Sequence, residues 1–447
     1  MVTPSQLEDF LAYLRFPGIS ADPSRRGDLE DCARWLAQKF SSLGFAATVH
    51  PTDGPPVVLA RSPFAPDKKT VLIYGHYDVQ PVDPLALWRQ DPFDPLIEDG
   101  LVIARGATDN KGQTLGHILG AEAALKSPRG LPVNLIFVVE GEEEIGSPHF
   151  GKFLETHRDE LACDAIVVSD TSMVAPGFPA ITCGLRGVAC LEVRLRGPKA
   201  DLHSGMFGGA VANPATELAR LLATLHHPDG SVAVAGFYDD VAAVGDAERA
   251  PWRDSAFSDQ ELRDAAGVPK LAGEPEFTAR ERLWIRPTAE INGLVSGYQG
   301  PGSKTIIPAE ASAKLSFRLV PNQKPEAVAA LVRNHFQSLC SDAVRLEVIY
   351  DHGGEPFHAD ASSAACRAAR AALTEVFGRE PALVREGLSI PVVSLLQRAL
   401  KQAPVLVGLG MPDCKAHSPN ETFPLAQLEK GIRFHQIFLR RFGGADG

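Results

Sequence analysis

The sequence predicts an α/β protein: a mostly parallel sheet with helices on both faces, interrupted by an inserted α+β domain of ferredoxin-like order. Three observations carry this. Helix and strand patterns alternate through the first 180 residues, the arrangement that builds a parallel sheet covered on both sides. Several apolar, β-branched runs are short and uninterrupted by polar residues, as in strands buried on both faces. A later segment runs strand, helix, strand, strand, helix, strand, the order of a ferredoxin-like unit.

The elements follow in order. Apolar spacing predicts helices over Pro4–Leu14, Asp28–Leu43 and Gly112–Leu125, with strands over Thr70–Tyr74, Val133–Val139 and Ala165–Ser169. Composition changes at Cys183-Gly184-Leu185-Arg186-Gly187. Beyond it come a strand (Ala189–Leu195), a helix (Pro214–Leu225), strands Ala289–Val295 and Ser312–Leu319, a helix (Pro325–Leu339) and a strand (Val344–Tyr350). Between that first helix and the second strand, Asp229 to Arg286 reads as a long polar and acidic loop, of the kind that serves function or interaction. Asp351-His352-Gly353-Gly354 returns the chain to the first domain, where a helix (Ala361–Val376) and a strand (Val405–Gly408) lead to His417. The expected division is therefore 1–185 with 352–447, and an inserted domain at 186–351.

Length and charge narrow the function. A chain of 447 residues exceeds one ordinary core. Its 55 acids against 44 bases give a net charge of −11, which disfavours nucleic acid and anionic membrane as partners, since both need clustered Lys and Arg. The N-terminal Met1-Val2-Thr3-Pro4-Ser5-Gln6 lacks the basic and apolar regions of a signal peptide. The seven cysteines are scattered, odd in number and form no C-x-x-C. They read as free thiols of a cytoplasmic protein.

The chemistry gathers where strands end. Val71-Leu72-Ile73-Tyr74 runs into Gly75-His76-Tyr77-Asp78, Leu135–Val139 into Glu140-Gly141-Glu142-Glu143-Glu144, and Ile166-Val167-Val168 into Ser169-Asp170. Asp109 lies in Gly106-Ala107-Thr108-Asp109-Asn110 and His417 in Lys415-Ala416-His417-Ser418. Open α/β sheets collect ligands at the carboxyl ends of their strands. Two histidines and several carboxylates converging there suit zinc or manganese, and point to a metal-dependent hydrolase. Taken singly, each residue has a plainer reading: His76 and Asp78 a surface turn, Asp109 a helix N-cap, His417 a core histidine, the glutamate run a solvated face.

With these motifs placed, the chain resembles the dinuclear metallopeptidase family that includes carnosinase, cytosolic nonspecific dipeptidase, aminoacylase and succinyl-diaminopimelate desuccinylase, and within it the dipeptidase branch. The likeness runs from Gly75-His76-Tyr77-Asp78-Val79-Gln80-Pro81 through Glu143-Glu144-Ile145-Gly146-Ser147, Asp201-Leu202-His203-Ser204-Gly205, Ser303-Lys304-Thr305-Ile306-Ile307-Pro308 and Ser316-Phe317-Arg318-Leu319-Val320-Pro321 to Ala416-His417-Ser418.

The resemblance implies two divalent metal ions per chain, zinc first, with manganese and cobalt also suited. It implies His76 and Asp170 as ligands of one ion, Glu144 and His417 of the other, and Asp109 as the bridge, with helix capping by Asp109 compatible. Asp78 would orient His76, Glu143 would be the general base, and Glu140 and Glu142 would be structural or exposed. His203 of a neighbouring subunit would stabilise the oxyanion, which implies a homodimer built on an inserted lid and dimerisation domain. Arg318 would hold the substrate's terminal carboxylate, with Thr305, His352 and Ser389 as further contacts. Three positions depart from the family pattern. Asn110 stands where a second acid is usual, Leu388 where a glycine is typical and Asn292 where some relatives carry histidine; the last two leave the exact substrate open.

The expected activity is hydrolysis of dipeptides or short peptides. The rivals are an N-acyl-amino-acid amidohydrolase or desuccinylase on the same metals, and a catalytically inactive metal-binding scaffold. Kinetics on dipeptides against N-acyl amino acids separate the first rival. Retention of Glu143 argues against the second, because binding alone needs no base.

Overall fold

The computed structural model describes residues 2–253, 259–387 and 389–444, so Leu388 lies outside the described residues. The chain forms two compact units: Met1–Cys183 with Ala359–Val384 and Ile390–Gly447, and Gly184–His358 with Arg385–Ser389.

The first unit is built on a mixed sheet. Its strands run in the order Ala46–His50, Val57–Arg61, Asn134–Glu140, Thr70–His76, Ala165–Ser172, Val405–Gly410, Ala180–Leu185. The central strands pair in parallel, and Thr70–His76 and Asn134–Glu140 are buried almost throughout, as uninterrupted apolar runs require. The expectation of a mostly parallel sheet is corrected at the flanks, where pairing is antiparallel. The reason is connection length. Residues 51–56 join the first two strands, far too few for a parallel crossover.

Helices cover this sheet. Gln113–Leu125 is buried on nearly every side, and Leu425–Gly443 packs beside it through Leu428, Ile432, Phe434 and Phe438. Their close approach depends on Gly120, where a Cβ would lie 2.6 Å from the Cβ of His435. A Cβ on Gly75 would collide with Thr114, so that glycine lets the helix close over the strand just before His76. Among the described residues no helix is long and apolar enough to cross a membrane.

The second unit holds a four-stranded antiparallel sheet, Thr288–Ser296, Glu310–Leu319, Gly187–Arg196, Arg345–Gly354. Alternate residues of Gly187–Arg196 are buried, and Leu191, Val193, Leu195, Leu315 and Phe317 pack with Leu218, Leu221, Val332 and Phe336 of helices Pro214–Leu222 and Pro325–Leu339.

The Asp229–Arg286 segment is not the open polar loop expected. It carries helices Asp246–Arg253, Asp259–Ala266 and Ala279–Ile285. Trp252 packs edge-on against Trp284 at 5.3 Å. Its acids pair with arginines: Glu274 with Arg286 at 2.6 Å, Glu281 with Arg249 at 2.8 Å, Glu248 with Arg385 at 2.7 Å. Part of the polar composition here is charge paired with arginine, Arg249 and Arg286 within the segment and Arg385 beyond it.

Candidate metal centre

Parallel strands share a direction, so their carboxyl ends meet at one sheet edge. The register places His76 level with Glu140 and Tyr74 level with Val168. That brings the His76 turn, the Glu142–Glu144 run and Asp170 to the same edge. Asp109 arrives from the irregular segment Ala107–Gly112, where its own backbone is non-helical. Its side chain caps none of the described helices; capping was compatible with a bridging role and is not made here. The carboxylate is taken up by two imidazoles instead. His76 Nε2 lies 3.1 Å from Asp109 Oδ1, and His417 Nε2 lies 2.8 Å from Asp109 Oδ2. His417 Nε2 is also 3.3 Å from Glu144 Oε2, and His76 Nε2 is 3.8 Å from Asp170 Oδ1.

Two donor groups fall within metal-binding reach. His76, Asp109 and Glu144 offer ligand atoms all within 4.8 Å of one another, as do His76, Glu143 and Asp170. One carboxylate offering its two oxygens to two histidines, with three further acids around it, suits a pair of cations sharing Asp109.

The electrostatics agree. Burial opposes a proton on His76, yet Asp109, Asp170 and Asp78 raise its pKa well above 6.5. Asp109 and then Glu144 push His417 up to about 10. Burial raises Glu143 well above the usual carboxylate range, against His76 and with help from Asp170, Asp109 and Glu144. Burial and Asp109 bring Glu144 to about 7. The acids cannot all ionise here unless positive charge lies among them. Divalent cations are one source of that charge.

Neighbouring residues fix the geometry. Asp78 is fully buried. Its main-chain and carboxylate oxygens lie 3.1 and 3.3 Å from His76 Nδ1, turning Nε2 toward Asp109. The same carboxylate accepts from the backbone N–H of Glu143 at 3.2 Å and Glu144 at 3.0 Å, which sets how the acid run enters the site. Asn110 donates from Nδ2 to Asp170 Oδ1 at 2.9 Å and to Ser169 O at 2.6 Å. An amide can thus hold the carboxylate that an ionised acid would repel. Glu140 and Glu142 are buried, not exposed. Glu140 accepts from Tyr74 and Ser147, and Glu142 from the backbone N–H of His149.

Sequence reasoning passed over two residues. Gln80 donates to Glu144 Oε2 at 2.8 Å; its place in the His76–Pro81 motif was the available signal. Glu421 grips the backbone ahead of Asp109, and nothing in its local sequence distinguishes it from a surface acid.

The remaining expected residues belong to the second unit. His203 pairs with Ile306 in a short antiparallel ladder, and Ser204 N–H donates to Thr305 O, so His203 and Thr305 are neighbours. Arg318 Nη1 donates to Ser389 Oγ at 3.0 Å, and Ser389 in turn to Arg186 O at 2.5 Å. His352 is exposed beside Asp351. Asn292 falls at a bulge between Ile291 and Gly293.

A family model described as peptidase family M20/M25/M40 matches residues 72–441. The chain is 35% identical over 441 residues to the Cys-Gly metallodipeptidase dug1 of Schizosaccharomyces pombe, covering 95% of this chain and 92% of that one. Its structure is similar to an M20 family metallo-carboxypeptidase of Sulfolobus solfataricus, with a TM-score of 0.85, 32% identity, and coverage of 99% and 100%. It is likewise similar to human carnosine dipeptidase 1, with a TM-score of 0.79, 31% identity, and coverage of 98% and 96%.

Proposed function

The chain belongs to peptidase family M20/M25/M40, and from that premise we propose that it is a two-metal exopeptidase cleaving dipeptides or very short peptides. The observation that carries this is Asp109, whose two carboxylate oxygens face His76 and His417 with Glu143 and Glu144 alongside. His76, Asp170 and Asp109 would hold one ion; Glu144, His417 and Asp109 would hold the other. Zinc is the first choice, with manganese and cobalt suited to the same donors. When bound, such a pair supplies Lewis acidity at the scissile carbonyl and acidifies the attacking water.

The chain's own groups do the rest. Glu143 takes the water's proton and returns it to the leaving amine. Burial and neighbouring acids raise its proton affinity, which fits a group that must hold a proton between two steps. Asp78 keeps His76 in the orientation that presents Nε2. His203, supplied by a second copy of the chain in a homodimer, stabilises the negative oxygen of the tetrahedral intermediate. The inserted domain acts as lid and dimerisation element. Arg318 offers a planar fork to the substrate's terminal carboxylate, with Ser389, Thr305 and His352 as further contacts. The dipeptidase and carboxypeptidase names of the relatives support a substrate with a free carboxyl terminus. Seven free cysteines support a reducing, cytoplasmic setting.

The test is a substrate screen on metal-reconstituted protein. Dipeptides should exceed N-acetyl and N-succinyl amino acids in kcat/KM by at least about tenfold, a gap of about 1.4 kcal/mol in transition-state binding. The reverse order would make it an acyl-amino-acid hydrolase. Two bound ions with no turnover on any amide would make it a scaffold.

A further inference from the structure

Glu421 lies four residues after His417 and is fully buried. Its carboxylate accepts four hydrogen bonds, all from one short stretch of chain. Oε1 takes the backbone N–H of Thr108 at 2.7 Å and of Asp109 at 3.0 Å. Oε2 takes the backbone N–H of Gly106 at 2.9 Å and Arg105 Nη1 at 2.8 Å. These fill the roughly four acceptor positions a carboxylate has. The main chain adds to the grip: Ala104 N–H donates to Glu421 O at 3.1 Å, and Thr108 Oγ1 to Thr422 O at 2.6 Å.

Asp109 is therefore held at both ends by one loop. His417 meets its carboxylate Oδ2 at 2.8 Å, and Glu421 meets its backbone N–H. That loop bends through left-handed backbone at Lys415, His417 and Asn420, and Asn420 ties it to Arg89 N–H and Leu87 O. Arg105 forms the buried ion pair with Glu421 and also reaches Pro81 O. A purely structural pair would need only that guanidinium. Three of the four donors are instead backbone groups of the segment that ends in Asp109.

We propose that Glu421 is a positioning residue that fixes Asp109 relative to His417 and so sets the second metal site. The proposal rests on the two-metal reading given above. Groups that orient metal ligands from outside are worth about 10–100-fold in metal affinity. Loosening the Asp109 backbone should weaken most the ion shared by Asp109, Glu144 and His417.

Manganese(II) binding by equilibrium dialysis tests this on wild type, Glu421→Gln and Glu274→Gln. Glutamine keeps one acceptor oxygen and turns an NH₂ toward backbone donors. Glu274→Gln removes the charge from the part-buried Arg286 pair of the second unit and serves as the loss of an ion pair that touches no candidate metal ligand. Glu421→Gln should keep one tight Mn²⁺ and bind the second about 10–100-fold more weakly. Its kcat should fall at limiting metal and recover in excess Mn²⁺, with KM unchanged. Glu274→Gln should lower Tm while binding two ions like wild type. If Glu421→Gln lowers Tm but still binds two ions with wild-type affinity, Glu421 is only structural. Should that variant fail to fold, Glu421→Asp keeps the charge on a shorter arm and undergoes the same titration: a weakened second ion supports the positioning role, and two ions at wild-type affinity overturn it. A wild type that binds fewer than two ions would overturn the two-metal reading itself, and this inference with it.

Discussion

In the first unit the acid and histidine side chains of the metal centre bond to one another and all but the exposed His417 are buried or half-buried, whereas His203, Thr305 and His352 of the second unit are exposed. His76 and Asp78 are fully buried and bonded to each other and their neighbours. His203 and His352 are exposed, and their side-chain bonds reach only residues nearby in sequence: Gly205 N–H to His203 Nδ1 at 3.0 Å, and Asp351 beside His352. His203 Nε2 has no protein partner among the described residues. The contrast separates two tasks. Groups that build a reactive centre must be fixed before substrate arrives, since reorganising charged groups during reaction is costly. Of the groups expected to recognise a substrate or a second chain, His203 and His352 keep bonding capacity free for it, while Arg318 and Ser389 are bonded to each other.

The sharpest way to break this contrast is at Glu143. If the first unit carries the chemistry, Glu143→Ala should retain two metal ions per chain while kcat falls by about 10²–10⁴. Glu144→Ala should instead lose one ion. Geometry leaves Glu143 within reach of His76 and Asp170, so metal analysis of both variants is the decisive measurement. The reverse pattern would shift the roles in the acid run by one residue.

A smaller effect is expected at Arg318. As a recognition group it should matter only for substrates that carry its partner. Free dipeptides should be preferred to their C-terminal amides, and Arg318→Ala should erase that preference through kcat/KM by about 10–100-fold, the size of one charge-assisted hydrogen-bonded pair. Amides should be hardly affected by the substitution. Equal rates on free and amidated dipeptides in the unmodified protein would remove Arg318 from recognition.

The sequence spoke unevenly about the two units. The central strands were legible because strands buried on both faces need unbroken apolar runs, and each such run stopped at a charged residue. Helices Pro4–Leu14 and Pro325–Leu339 were legible to the residue, each having proline in its first turn. The flanking strands Ala46–His50 and Val57–Arg61 were not: each has only five residues, and Ala46–His50, at the sheet edge, buries none of them fully. Helix Leu425–Gly443 went unread, although its buried positions recur at helical spacing. The Asp229–Arg286 segment looked like solvated loop because composition counts charges without pairing them. The site residues His76, Asp109, Glu144 and His417 could be named from motifs. Their convergence at the strand ends could be expected too; the contacts that fix it could not, such as Glu421 to Asp109, 312 positions apart.

The finest test of the contrast asks whether the free ring of His203 belongs to another copy of the chain. If it serves a partner's metal centre, the active unit is a two-fold dimer. A His203→Ala chain then lacks the group it lends, and a Glu143→Ala chain lacks the base it keeps; each mutant alone should stay near background. Mixed under conditions of subunit exchange, they form about half heterodimers. One of the two sites in each heterodimer combines an intact Glu143 from one chain with an intact His203 from the other. Recovery should therefore approach about a quarter of wild-type activity, the ceiling that two-fold geometry sets. Exchange is verified independently by mixing chains with distinguishable tags. Verified exchange with no recovered activity would place His203 in the service of its own chain, or leave it a surface histidine whose ring only caps Gly205.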